Sequence, residues 1–309
     1  MNFDVGLRKA IKMEESTPNN IGGIRASALP FCPVKYIFEA CEPSASSSYA
    51  MDFYMGIGTT IHRTVQEWYP YAAKKHFFGN WKCYPCKKTV YHKVGPGKCP
   101  NCNKDMSYKE LKIIVPDAPV EGYIDGILIQ PKYLKYSNGF YDIRKRIDGL
   151  VIELKSAGNY VAPKKVEPSR NHKYQSMFYV IACKKLLLKY NINITGYIVK
   201  YLSRDNPYTV SPDLIETDLN KCNNFYNFTC RTARSFVRSL KKNKPSIINK
   251  LYCANKIFDT NIDYEKCPYI SVCKNITLKQ FTESFNIARP KIMKKLLYRT
   301  IETFKNGST

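Results

Sequence analysis

The chain has 309 residues, 44% of them hydrophobic, and 49 Lys and Arg against 25 Asp and Glu give it a formal net charge of +24. That length suits one catalytic domain with an insertion, and the charge calls for a polyanionic partner whose binding weakens steeply with salt as counterions are released. No apolar run is long enough to cross a bilayer, and 12 cysteines behind an N-terminus without a signal-peptide pattern speak for a reducing cytoplasm and metal ligation over a disulfide framework.

Residues 1–24 read as an N-terminal extension, a short helix followed by the polar loop Ser16-Thr-Pro-Asn-Asn-Ile-Gly-Gly23. Residues 25–78 read as helical, broken at Ser44–Ser48 and near Pro70. Within them Ile61, Val65, Trp68 and Tyr69 recur at helical spacing, and His62 stands one residue off that stripe. Residues 79–107 form a basic, cysteine-bearing ribbon with the look of an insertion hanging from the core. The core, 108–210, shows strands near 109–115, 121–130, 139–144 and 147–155, with a hairpin turn at Asn138-Gly139. After a Pro163–Pro168 loop comes a helix through Met177, Phe178, Ile181 and Leu186, then a strand near 194–202. Residues 211–309 read as a long helix from about 212 to 242, a Cys-rich segment and a terminal helix from about 277 to 305. The order predicts an α/β fold, a mixed central sheet with helices on both faces.

Chemistry concentrates at two strand ends, Glu121-Gly-Tyr-Ile-Asp125 and Val151-Ile-Glu-Leu-Lys155. Successive strand side chains alternate between faces, so Glu153 and Lys155 share one and Leu154 packs on the other. Asp125 brought alongside by strand pairing adds a second hard oxygen ligand, a set suited to Mg²⁺ or Mn²⁺, beside an ammonium that can orient a water. Downstream, Gln175 and Tyr179 are four apart and lie on one helical face.

The order Gly58-x3-His62, Gly122-x2-Asp125, Glu153-x-Lys155, Gln175-x3-Tyr179 resembles the RecB-type branch of the PD-(D/E)XK nuclease superfamily, over about Gly58 to Tyr179. The resemblance implies a restriction-endonuclease-like core. It implies that His62, Asp125 and Glu153 bind the divalent metal with the Leu154 carbonyl, that Lys155 assists the attacking water, and that Gln175 and Tyr179 orient the DNA strand.

Cys83-Tyr-Pro-Cys86 and Cys99-Pro-Asn-Cys102 are two Cys-x2-Cys knuckles separated by twelve residues, a spacing that gathers four thiolates around Zn²⁺. Cys32 with Cys253, Cys267 and Cys273 resembles the iron-sulfur staple of AddB-type helicase-nucleases and CRISPR-associated RecB-type exonucleases, which implies a [4Fe-4S] cluster. The usual C-terminal pattern is Cys-x2-Cys-x5-Cys. Here Tyr264 replaces its first Cys, Cys253 would have to supply that thiolate, and Cys41 competes with Cys32. Cys183, Cys222 and Cys230 read as buried small hydrophobes.

Together these readings predict a metal-dependent deoxyribonuclease, an exonuclease or end-processing enzyme of recombination, repair or replication with DNA as substrate and a helicase or recombination partner. The alternatives are a structure-specific endonuclease and a non-catalytic nucleic-acid-binding protein working through its ribbon and basic surface. Richness in Lys, Asn, Ile and Tyr fits an AT-rich coding genome such as a phage.

Overall fold

The computed structural model describes residues 24–29, 32–41, 56–61, 64, 65, 67, 76–115, 118–129, 134–158, 167–206, 211, 213–245 and 276–306. The elements run β1 (Ile24–Arg25), α1 (Pro33–Cys41), β2 (Phe77–Lys82), β3 (Thr89–Val94), β4 (Ser107–Lys109), β5 (Leu111–Ile114), β6 (Val120–Ile124), β7 (Gly126–Ile129), β8 (Leu134–Ser137), β9 (Phe140–Ile143), β10 (Ile147–Ala157), α2 (Arg170–Leu187), β11 (Ile192–Ser203), β12 (Leu214–Glu216), α3 (Leu219–Lys242) and α4 (Leu278–Asn306). They divide into two compact units, one of residues 1–53, 114–121 and 227–309 and one of residues 54–113 and 122–226.

The second unit is built on a nine-stranded mixed sheet ordered β12-β11-β10-β7-β2-β3-β9-β8, with β4 also paired to β2. β10 lies near its middle, parallel to β11 and antiparallel to β7. Its centre, Val151 to Leu154, is buried, the near-continuous burial expected of a strand covered on both faces. Parallel neighbours need a crossover, and α2 supplies it between β10 and β11. The helix ends at Leu187, a 3-10 turn over Leu188–Tyr190 closes at Asn191 in a left-handed conformation (φ 62°), and Lys184 and Lys185 in the helix's last turn complement its dipole. The β8–β9 hairpin turns on Asn138 and Gly139, both with positive φ (49° and 77°), as a two-residue primed turn requires.

The cysteine ribbon does not hang from this sheet. β2 pairs with β7 on one side and β3 on the other, and Trp81 near its end is wholly buried. The pairing slips between Gly79 and Trp81, and side chains mend the slip: Trp81 Nε1 donates to Lys93 O (3.2 Å), and His92 N donates to Asn80 Oδ1 (3.2 Å). The apolar run Phe77-Phe78 and Trp81 needed a partner sheet to bury against, which made the ribbon's first strand a core strand.

At the other edge, Leu214–Glu216, expected to be helical, pairs antiparallel with Tyr197–Val199. α3 starts only after Asp218, whose Oδ1 accepts the N–H groups of Asn220 and Lys221 (both 3.0 Å) and caps the helix. Of the helical stretch expected over 25–78, residues 33–41 and 56–61 are helical, β1 precedes them, and β2 begins at Phe77.

In the first unit β1 pairs parallel with β6 (Ile24 with Val120), and α1 packs on α4 through Phe38 and Phe281, ring centroids 6.2 Å apart. Lys291 Nζ donates to Ala40 O (3.1 Å), and Arg289 Nε donates to Leu240 O (2.6 Å). Among the described residues no helix is long and apolar enough to cross a membrane.

A Cβ added at Gly126 would lie 2.0 Å from Phe77 Cζ. Gly126→Ala should therefore force the Phe77 ring out of its place and lower stability by about 1–3 kcal/mol. Thermal unfolding of the variant measures this.

Candidate active site and cysteine cluster

The β7–β10 ladder runs from Ile129 opposite Gly149 to Gly126 opposite Ile152, and there it stops. One more step would pair Asp125 with Glu153. The chain bends at Asp125 instead, and its carboxylate Oδ2 accepts the Leu154 N–H at 2.6 Å. The side chain thus makes the hydrogen bond the ladder gives up, and it fixes the Asp125 carboxylate beside the Glu153–Leu154 peptide.

Asp125 and Glu153 are buried, 5% and 1% exposed. Lys155 Nζ donates to Glu153 Oε1 (2.5 Å) and to Gln175 Oε1 (3.3 Å), and Gln175 Nε2 donates to the Tyr179 hydroxyl (3.4 Å). The structure therefore brings Asp125, Glu153, Leu154, Lys155, Gln175 and Tyr179 together at the meeting of β7, β10 and α2. Burial alone would pull the Lys155 ammonium below its ordinary value, but the Glu153 and Asp125 carboxylates outweigh it and hold it above. Burial pushes the Tyr179 phenol well up, and Glu153 adds to that, so it stays neutral. The Cys183 thiol is raised by burial and by Glu153 in the same way. Cys183, Cys222 and Cys230 are all buried.

His62 lies outside the described residues. The helical segment 56–61 just before it packs on β10, since a Cβ at Gly58 would meet Ser156 Oγ at 2.6 Å. Val65 packs against the cluster that contains Ile152 and Leu154, on the face of β10 opposite Glu153 and Lys155.

Sequence reasoning missed Tyr201 and Ser169. In the parallel register Tyr201 is opposite Lys155, and its hydroxyl accepts the Ser169 N–H (2.7 Å) at the start of α2. A tyrosine in the apolar run of β11 carries no signal that separates it from a core residue.

Cys83, Cys86, Cys99 and Cys102 have their sulfurs within 4.8 Å of one another, a group that could hold a metal ion. The knuckles repeat one local geometry. Cys83 N donates to Lys88 O and Cys99 N to Lys104 O, both 2.8 Å, and Lys87 and Asn103, each just past the second cysteine of its knuckle, both have φ 55°. In a tetrahedron with Zn–S bonds of about 2.3 Å, the sulfurs stand about 3.8 Å apart, so these four fit one ion. Burial works against the Cys99 thiolate, but the N–H groups of Asn101 and Cys102 favour it and bring it down to about 7. The sulfur of Cys102 pushes the Cys86 thiol up to about 12. Without a cation the four crowded sulfurs do not ionise together.

Of the other cysteine set, Cys253, Cys267 and Cys273 lie outside the described residues. Cys32 is half-buried just before α1, and the Cys41 thiol donates to Ser284 O (2.8 Å).

No protein-family model matches the chain, and no curated protein matches it. Among solved structures, the chain is similar to the crystal structure of SSO0001, with 13% identity and a TM-score of 0.37 over 84% of this chain and 96% of that one.

Proposed function

We propose that the chain is a divalent-metal-dependent deoxyribonuclease of the RecB type, an exonuclease or end-processing enzyme acting on DNA. The observation that carries this is the Asp125 carboxylate fixed on the Leu154 N–H beside Glu153, with the Lys155 ammonium bonded to Glu153 and Gln175. Two buried carboxylates beside a half-buried ammonium are expensive to desolvate, and such a network is characteristic of a site that needs perturbed charges.

The donor set fits a hard cation. Asp125, Glu153 and the Leu154 carbonyl would hold Mg²⁺ or Mn²⁺, with His62 as the family-implied fourth ligand. Such an ion, when bound, polarises the scissile phosphate and lowers the pKa of water. Lys155, kept charged by its two carboxylate neighbours, orients the attacking water and offsets negative charge that develops on the phosphoryl oxygens. Gln175 fixes Lys155 through Oε1 and is itself fixed by Tyr179. The four knuckle cysteines would hold Zn²⁺, and the second set, with Cys32, would hold a [4Fe-4S] cluster.

With end-labelled linear and sealed circular single-stranded DNA in Mg²⁺ or Mn²⁺, the linear substrate should be degraded and the circle left intact. Cutting of circles would make the enzyme an endonuclease. Binding of both substrates without cleavage of either would leave a nucleic-acid-binding protein.

A further inference from the structure

His172 lies three residues before Gln175 on α2, so the two side chains leave the same face of the helix about one turn apart. In a β-α-β crossover the helix begins at the C-terminal ends of the strands, where sites in α/β sheets open. His172 thus stands on the open side of Gln175, half-buried. Tyr201 ties it to the rest of the site. The phenol is the parallel neighbour of Lys155, and its oxygen lies 2.9 Å from His172 Nδ1.

The Tyr201 hydroxyl proton is directed at Ser169 Oγ (3.3 Å), and the same oxygen already accepts the Ser169 N–H at 2.7 Å. The Tyr201 oxygen thus holds the ring at Nδ1, and the role argued below is given to the other nitrogen, Nε2. The titratable group against it is Tyr201 on β11, itself opposite Lys155 on β10, and Arg170 and Lys173 stand on its own helix. Lys155 and Tyr179 hold their protons too tightly to exchange near neutrality. Imidazole exchanges there by nature.

We propose that His172 is the proton donor to the leaving oxygen of the scissile phosphodiester, with Tyr201 as the positioning residue. The inference rests on the nuclease reading above. As the water oxygen bonds to phosphorus, the bond from phosphorus to the leaving nucleoside oxygen breaks, and its electron pair takes up the Nε2 proton as a new O–H. The proton shed by the water passes to solvent, and Nε2 regains its own from solvent.

The test compares DNA with the 4-nitrophenyl ester of thymidine 5′-monophosphate, whose leaving group needs no acid. His172→Gln should slow DNA cleavage by about 100-fold or more at little change in KM, and remove the fall in rate as pH rises past the imidazole range. On the ester the same variant should lose less than about threefold, because general-acid help is worth little there. Tyr201→Phe should shift the alkaline limb on DNA while retaining the ester activity. A His172→Gln enzyme with the wild-type rate and pH profile on DNA overturns the proposal. So does equal loss on both substrates, which marks His172 as structural. If the wild type cleaves neither substrate in Mg²⁺ or Mn²⁺, the nuclease reading itself fails, an outcome distinct from either of these.

Discussion

Lys155→Ala should abolish cleavage while DNA binding persists. The ammonium is the cation beside two buried carboxylates, and losing a preorganised charge of this kind reduces turnover by about 100-fold or more. Binding survives because the chain's other Lys and Arg, 49 in all with this one, supply the attraction to phosphate. The same change leaves Glu153 and Asp125 buried without their cation, and breaking a buried pair costs about 3–5 kcal/mol. The melting temperature should therefore fall further in chelator-free buffer without added Mn²⁺ than in Mn²⁺, where a bound ion restores positive charge between the carboxylates. Equal melting in the two conditions would remove Asp125 and Glu153 as a metal site. The sign of the Lys155 shift sets the pH window. Its raised value means the stabilisation is fully present below the ordinary lysine value of 10.5 and is lost only as pH rises through the raised one. An alkaline loss of activity near neutrality must then come from another group.

The second large effect is on the cysteine cluster. Cys99→Ser, or prolonged chelation, should release about one Zn²⁺ per chain by elemental analysis and lower the melting temperature by about 10 °C or more, since a structural zinc supplies much of its site's folding free energy. The expected size follows from the placement of the ligands. Cys83 and Cys99 are buried in the same cluster as Trp81, Ile152 and Leu154, so the knuckles support the strand that carries Glu153 and Lys155. Activity should fall with the metal. Retention of full stability with the zinc gone would mean that apolar packing alone holds β2 and β3.

Much of this was legible in the chain. Alternation at Val151–Lys155 placed Glu153 and Lys155 on one face, and the two knuckles announced their cluster because ligand spacing is a local property. The Asn138-Gly139 turn was readable for the same reason. What failed to show was tertiary. Leu214–Glu216 looked helical because three residues carry no period of their own, and only pairing with β11 makes them a strand. The ribbon read as an appendage because nothing in Phe77–Lys82 states which sheet will take it. Tyr201 stayed hidden because its neighbour in space, Lys155, is far away in sequence.

The sheet's strand order also sets a sequence of folding events. β7 and β10 pair from Ile129 opposite Gly149, 20 residues apart in the chain, so they can assemble from contacts close in sequence. β2 must instead close a long loop to reach β7, and it carries Cys83 just beyond its end. A chain that has paired β7 with β10 but not captured its ion exposes the other edge of β7 with the apolar face meant for Trp81, a template for pairing with other chains. Refolding yield should consequently depend on free zinc during folding rather than after it, with late addition finding aggregate in place of a waiting apo form.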